Sequence, residues 1–284
     1  MTRAAAVLAL GLLAACGGHD WDDTSIVAAG DIASCFWRGD EATARLLDEI
    51  PGVVVTLGDN VYPSGTDREF RQCYARSWGR HLDRTRPSVG NHEYKTKDAA
   101  GYFNYFGERA GPRGKGWYSF DHEGWHLIAL NSDEPLKRGS EQYAWLVDDL
   151  RRHRDTRCTL AFYHHPRWSS GKHGGADRVM DAYRALYDGG VDVVLSGHDH
   201  HYERFAPLDP VGRVDEERGI RSFVVGTGGA PSYDMPGERR PHSEAIADEV
   251  RGVLRMKFHR DSYEWEFVPI PGRRFEDSGR GECH

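Results

Sequence analysis

Five strand-end motifs constrain this chain more than any other feature. Each places residues that can carry a proton or bind a cation just after a short apolar run or a glycine. They are Gly30-Asp31 after SIVAA, Gly58-Asp59-Asn60-Val61-Tyr62 after VVVTL, Gly90-Asn91-His92-Glu93, His164-His165-Pro166, and Gly197-His198-Asp199-His200 after VDVVL. Runs of four or five β-branched and aliphatic residues bounded by glycine read as buried strands. Between them lie stretches of helical spacing. Residues 41–50 stop at Pro51-Gly52, residues 141–153 begin after a capping Ser140, and residues 177–187 form a third. Strands alternating with helices predict an α/β (α+β) domain, and ligands of such sheets gather beyond the carboxyl ends of the strands.

The rest of the chain fits one domain over residues 25–284, with no internal repeat and no boundary after residue 24. Residues 118–120 and 125–130 predict a hairpin, Phe223–Val225 a further strand, and residues 253–258 and 263–268 a terminal antiparallel pair. Gly226-Thr227-Gly228-Gly229 lacks the Lys-Ser/Thr of a P-loop and reads as a place of close backbone approach. Residues 1–15 have Arg3 followed by an apolar run too short for a membrane span of about 20 residues, as in a signal peptide. Leu13-Ala14-Ala15-Cys16 resembles a bacterial lipobox, with residues 16–24 as linker. The expected location is therefore the cell envelope, with a membrane anchor through lipid on Cys16, or otherwise secretion.

Export places Cys35, Cys73, Cys158 and Cys283 in an oxidising compartment. They contain no CxxC and allow three pairings, of which Cys35–Cys73 and Cys158–Cys283 are favoured because each would tie a loop or the tail to the core. The formal charge of −7 argues against a nucleic-acid partner held by a broad basic face. The 15 histidines invite a search for a metal site.

Taken together, the five motifs offer oxygen and imidazole donors, a mixture that suits Fe, Zn or Mn and not a thiolate site. In this order and spacing they resemble the calcineurin-like metallophosphoesterase superfamily. The nearest branch is that of the purple acid phosphatases, with the pattern GD…GDxxY…GNH[ED]…xxxH…GHxH. The resemblance implies a four-layer α/β/β/α sandwich with two mixed β-sheets and a dinuclear metal site at the strand ends. By motif position, Asp31, Tyr62 and His200 would hold one metal, Asn91, His164 and His198 the other, and Asp59 would bridge them. Most of the superfamily has Asp-x-His in the first block, whereas this chain has Asp31-Ile32-Ala33. Tyr62 would fill the gap, and a phenolate favours Fe(III), with Zn, Fe or Mn at the second position.

The catalytic residues implied are His92, which would contact the phosphate and protonate the leaving oxygen, and His173, at the offset of a second substrate-facing histidine. Glu93 is expected to orient His92, Trp168 to lie in the core or at the rim, with the substrate mouth as the alternative, and His165 to lie outside the ligand set. The implied function is an exported metal-dependent phosphoric ester hydrolase, foremost a phosphomonoesterase using a metal-bound hydroxide on a small phosphate ester. A phosphodiesterase or nucleotidase with the same core, or a non-catalytic metal-binding lipoprotein, are the alternatives. No protein partner is implied. Two metal cations would make the site a cationic spot on an anionic protein.

Overall fold

The computed structural model describes residues 24–235 and 237–284. The signal peptide, Cys16 and all of the linker except Thr24 lie outside these residues. Two mixed sheets face each other. The first has the strand order Ser278–Glu282, Ser262–Pro269, Gly252–Phe258, Ser25–Ala29, Val53–Leu57, Thr85–Ser88. Its last three strands are parallel and the C-terminal strands antiparallel. The second runs Ser243–Ala247, Tyr202–Phe205, Arg221–Val225, Val193–Ser196, Cys158–Phe162, Trp125–Ala129, Tyr118–His122. The four strands from Arg221–Val225 to Trp125–Ala129 are parallel.

The period-two alternation of the strands separates two cores. Leu127, Leu160, Phe162, Val193 and Leu195 point between the sheets, where they meet Val27, Val55 and Trp265. Their neighbours Ile128, Ala161 and Val194 point outward, against Leu146 and Leu150 of helix Glu141–Arg152 and Tyr183 and Leu186 of helix Met180–Asp188. Helix Gly39–Glu49 covers the outer face of the first sheet through Ala44 and Leu47. The layers are therefore helix, sheet, sheet, helix, as the resemblance implies. Ser140 caps its helix by accepting from Tyr143 N–H at 3.3 Å. No helix among the described residues is long and apolar enough to cross a membrane.

Four strands of these two sheets are not foreseen by the sequence reading: Thr85–Ser88, Tyr202–Phe205, Ser243–Ala247 and Ser278–Glu282. Thr85–Ser88 contains Pro87 and is tolerated because it lies at a sheet edge. Ser278–Glu282 reads SGRGE, poor strand chemistry by itself. Its glycines let the rings of Trp265 and Tyr263 lie across the backbone, since a Cβ at Gly279 or Gly281 would stand 2.3 Å from them.

Both favoured disulfides are present. Cys35–Cys73, with Cα atoms 5.1 Å apart, holds the loop that presses Trp37 against Tyr62, ring centroids 5.3 Å apart. Cys158–Cys283 joins the first residue of a strand in the second sheet to the residue after the edge strand of the first, so it staples the two sheets. It spans 125 residues. Chain entropy for a loop of this order gives about 5 kcal/mol. Replacing Cys158 and Cys283 together by alanine is expected to lower the stability read from urea unfolding by several kcal/mol. An unchanged midpoint and slope would contradict this.

Candidate metal centre

Three adjacent parallel strands of the first sheet deliver Asp31, Asp59 with Tyr62, and Asn91 with His92. Two parallel strands of the second deliver His164, and His198 with His200. The crossing is tight. Gly30 N–H donates to Val225 O and Gly228 N–H to Gly30 O, both at 2.9 Å. Glycine is required where backbone and ligand touch, since a Cβ at Gly90 would stand 2.3 Å from Asp59 Oδ1 and one at Gly226 2.8 Å from Asp31 Oδ2. The expected close approach along 226–229 is thus present. Asp31, Asp59 and His198 have φ of 58°, 48° and 73°. Left-handed conformations of such residues cost of order 1–3 kcal/mol each and persist where the surroundings impose them, often at functional sites.

The seven expected donors form one cluster, in which Asp31, Asp59, Tyr62, His164 and His200 are buried and Asn91 and His198 half-buried. Tyr62 Oη lies 2.8 Å from Asp31 Oδ1, 3.1 Å from Asp59 Oδ2 and 3.1 Å from His200 Nε2. His164 Nε2 lies 3.3 Å from Asp59 Oδ2, 3.1 Å from Asn91 Oδ1 and 3.2 Å from His198 Nδ1. His164 Nδ1 faces Leu57 O at 2.8 Å and His200 Nδ1 faces Pro231 O at 2.6 Å. A carbonyl only accepts, so both Nδ1 atoms carry protons and both Nε2 atoms are turned toward the carboxylates, the second-shell pattern of metal-binding histidine.

The electrostatics fit cations. The ion-pair partners of Asp31 and Asp59 among the described residues are the histidines 92, 164 and 200. Burial alone would raise both carboxyls, but His200 at Asp31 and His164 and His92 at Asp59 outweigh it and hold both low. Burial opposes a proton on His164, yet Asp59 and Asp31 hold its pKa up at about 10. His200 is raised against burial by Asp31. Both shifts reflect buried negative charge that bound cations would neutralise. Burial and the His164 charge push His198 down to about 3. Burial, then Asp31 and Asp59, push the Tyr62 phenol well above its usual value, so a phenolate there requires a bound cation. Hard oxygens and imidazoles, with no sulfur, are the donor set of Fe, Zn or Mn.

His92 sits beside this cluster. Its N–H donates to Asp59 Oδ1 at 2.8 Å, its Nδ1 faces Pro63 O at 2.7 Å, and its ring lies 4.2 Å from that of Tyr62. His173 is exposed at the rim, its ring 4.5 Å from that of His198.

One expectation is corrected. Glu93 does not accept a hydrogen bond from the His92 ring. It is fully buried and accepts from Gly90 N–H at 2.9 Å, Val61 N–H at 3.2 Å and Asn60 Nδ2 at 3.4 Å, which ties the second motif to the third. Burial and Asp59 push it up to about 8. Trp168 lies in the core, as expected, and not at the mouth. It packs in the helix-side core against Tyr183 and under Arg167.

Three further residues escaped the sequence reading. Tyr233 stacks on His200 at 4.1 Å, Lys95 Nζ lies 3.1 Å from His92 Nε2, and Trp37 backs Tyr62. Tyr233 and Trp37 reach the site through the fold, whereas Lys95 lies in the turn that follows His92, only three residues on. His165, set aside earlier, offers a ring nitrogen within 4.8 Å of those of His164 and His198. Its Nδ1 pairs with Ser132 Oγ at 2.8 Å.

A model of the calcineurin-like phosphoesterase family matches residues 24–202. Purple acid phosphatase 21 of Arabidopsis thaliana is 32% identical over 249 residues, which cover 75% of this chain and 54% of that protein. Purple acid phosphatase 15 of Arabidopsis thaliana is 27% identical over 86% of this chain and 52% of its own. The chain thus spans about half the length of these relatives. Among solved structures, purple acid phosphatase PPD1 from yellow lupin (Lupinus luteus) shares the fold with a TM-score of 0.73 at 17% identity, covering 91% of this chain and 53% of that one. GAP50, the anchor in the inner membrane complex of Plasmodium, does so with a TM-score of 0.69 at 15% identity, covering 92% and 89%. The chain belongs to the calcineurin-like phosphoesterase family, and the relatives it resembles within it are purple acid phosphatases. That family implies two metal ions.

Proposed function

We propose that this protein hydrolyses small phosphate monoesters at a dinuclear metal centre. The observation that carries the reading is the convergence of all seven donors in one largely buried cluster with His92 alongside it. Asp31, Tyr62 and His200 would hold Fe(III), Asn91, His164 and His198 would hold Zn, Fe or Mn, and Asp59 would join the two. Such a pair supplies positive charge for the phosphoryl oxygens and lowers the pKa of a water so that it can attack phosphorus at neutral pH.

The chain's own residues do the rest. His92, fixed by its backbone N–H and by Nδ1, presents Nε2 on the side of Asp59, where it would give a proton to the departing oxygen. Lys95 adds a cation beside the His92 ring, and His173 contacts the far side of the ester. Residues 1–15 would direct export, with Cys16 as a lipid anchor.

A substrate panel tests the proposal. Metal-loaded protein is expected to hydrolyse p-nitrophenyl phosphate faster than its bis ester across a pH range. The reverse order would assign a diesterase, and inertness toward both with two metals bound would contradict hydrolysis. Iron-loaded protein should show a visible phenolate-to-iron band. Tyr62→Phe should abolish it, and a band that survived would place the iron elsewhere.

A further inference from the structure

The middle residue of Gly197-His198-Asp199-His200 is, by sequence, a spacer between two ligands. The structure gives it a task. In the bend that follows strand Val193–Ser196, the Asp199 side chain runs beneath residues 169–175, the loop that carries His173. Its carboxylate is fully buried. Oδ2 accepts from Ser169 Oγ at 2.5 Å and Oδ1 accepts from the His173 backbone N–H at 2.9 Å. The loop wraps the carboxylate so closely that a Cβ at Gly171 would stand 2.4 Å from its carbon. Ser169 Oγ also accepts from Gly171 N–H at 2.9 Å.

A second buried carboxylate braces the same loop. Glu203 accepts from Ser170 N–H at 2.7 Å and from Ser170 Oγ at 2.5 Å, and pairs with His201 Nε2 at 3.0 Å. Arg240 closes the outside by donating from its backbone N–H to Ser170 Oγ at 2.8 Å and from Nε to Ser169 O at 2.7 Å. Residues 169–175 belong to no helix or strand, so these bonds supply the order that regular structure would otherwise give. Charge-assisted hydrogen bonds are the strong ones, and a buried carboxylate stripped of its donors is costly. Moving the loop would strand Asp199.

We infer that Asp199 is a positioning residue: it ties the loop of His173 to the ligand segment of His198 and His200, and so sets where His173 meets the ester. This rests on the phosphate-ester reading. The mechanical link makes the placement of His173 a consequence of the metal-binding turn itself. It also explains how an exposed histidine is held with its ring 4.5 Å from that of His198.

The test is a double-mutant cycle in metal-loaded, full-length protein with p-nitrophenyl phosphate, together with elemental analysis and hydrogen exchange of residues 169–175. Misplacement of a reacting group by about 1 Å can cost on the order of 10²-fold. Asp199→Ala is expected to lower kcat/KM by that order with two metals retained, and to expose the His173 amide to exchange. In a His173→Ala background the same change should add less than about threefold, the sign of action through one residue. Asp199→Asn keeps an acceptor for the His173 N–H, so it should recover most of the protection and activity, and it serves where the alanine variant fails to fold.

Multiplying losses, an unchanged His173 amide, or loss of metal in both Asp199 variants would overturn the inference while leaving the hydrolase reading intact. A wild-type protein that binds two metals and hydrolyses no ester would instead defeat the reading beneath it, and the exchange data alone would then decide whether Asp199 holds the loop.

Discussion

Asp59→Asn is expected to eliminate measurable turnover and to release at least one metal ion from the centre. Asp59 is buried between the two halves of the donor cluster, with Oδ2 3.3 Å from His164 Nε2 and 3.1 Å from Tyr62 Oη. Two cations held about 3.5–4 Å apart repel. At 4 Å and an effective dielectric of 20, each pair of unit charges contributes about 4 kcal/mol, and multivalent ions multiply this. A shared carboxylate offsets the repulsion. An amide offers one neutral oxygen and turns an NH₂ toward a site that needs an acceptor. The variant keeps the shape of the side chain, so it should fold. Elemental analysis and initial rates on p-nitrophenyl phosphate check the prediction, and near-normal activity would count decisively against a bridging role.

The second large effect is expected at His92. His92→Ala should keep both metals, because the imidazole is no part of the donor cluster, yet lower kcat by 10²- to 10⁴-fold, the usual contribution of a general acid. The loss should depend on the leaving group. A p-nitrophenolate departs without much help, whereas an alkoxide needs its proton, so the defect should be larger for an alkyl phosphate. A proton donor is lost as pH rises, so the alkaline limb of the wild-type rate profile should flatten in the variant. An equal loss for both esters would assign His92 to binding instead of proton transfer.

What the sequence makes legible lies largely at strand ends. Asp31, Asp59, Tyr62, Asn91, His164, His198 and His200 could be named because five motifs in this order resemble the family's pattern, and their places at strand ends explain why the fold makes them converge. The disulfides were favoured as ties from loop and tail to core. What stayed hidden depends on contacts between segments distant in sequence. Ser278–Glu282 becomes a strand only because Trp265 and Tyr263 need its glycines. Tyr233 meets His200 through a loop without a motif. Glu93 adjoins His92 in sequence but turns into the protein to hold Gly90 and Val61, and neighbours in a turn need not face each other. Trp168 follows a ligand motif closely, yet its size draws it into the helix-side core, the first of its expected places. The role of Asp199 could not be read because hydrogen bonds to a loop about 30 residues upstream leave no mark on local spacing.

The central claim, two metals joined by Asp59, is tested most directly by anomalous diffraction from crystals of metal-loaded protein grown with inorganic phosphate. The account predicts two peaks about 3.5–4 Å apart. One should be ligated by Asp31, Tyr62 and His200 and the other by Asn91, His164 and His198, with Asp59 shared and phosphate facing His92. A single peak, or a metal held by His165 in place of Asn91, would contradict it.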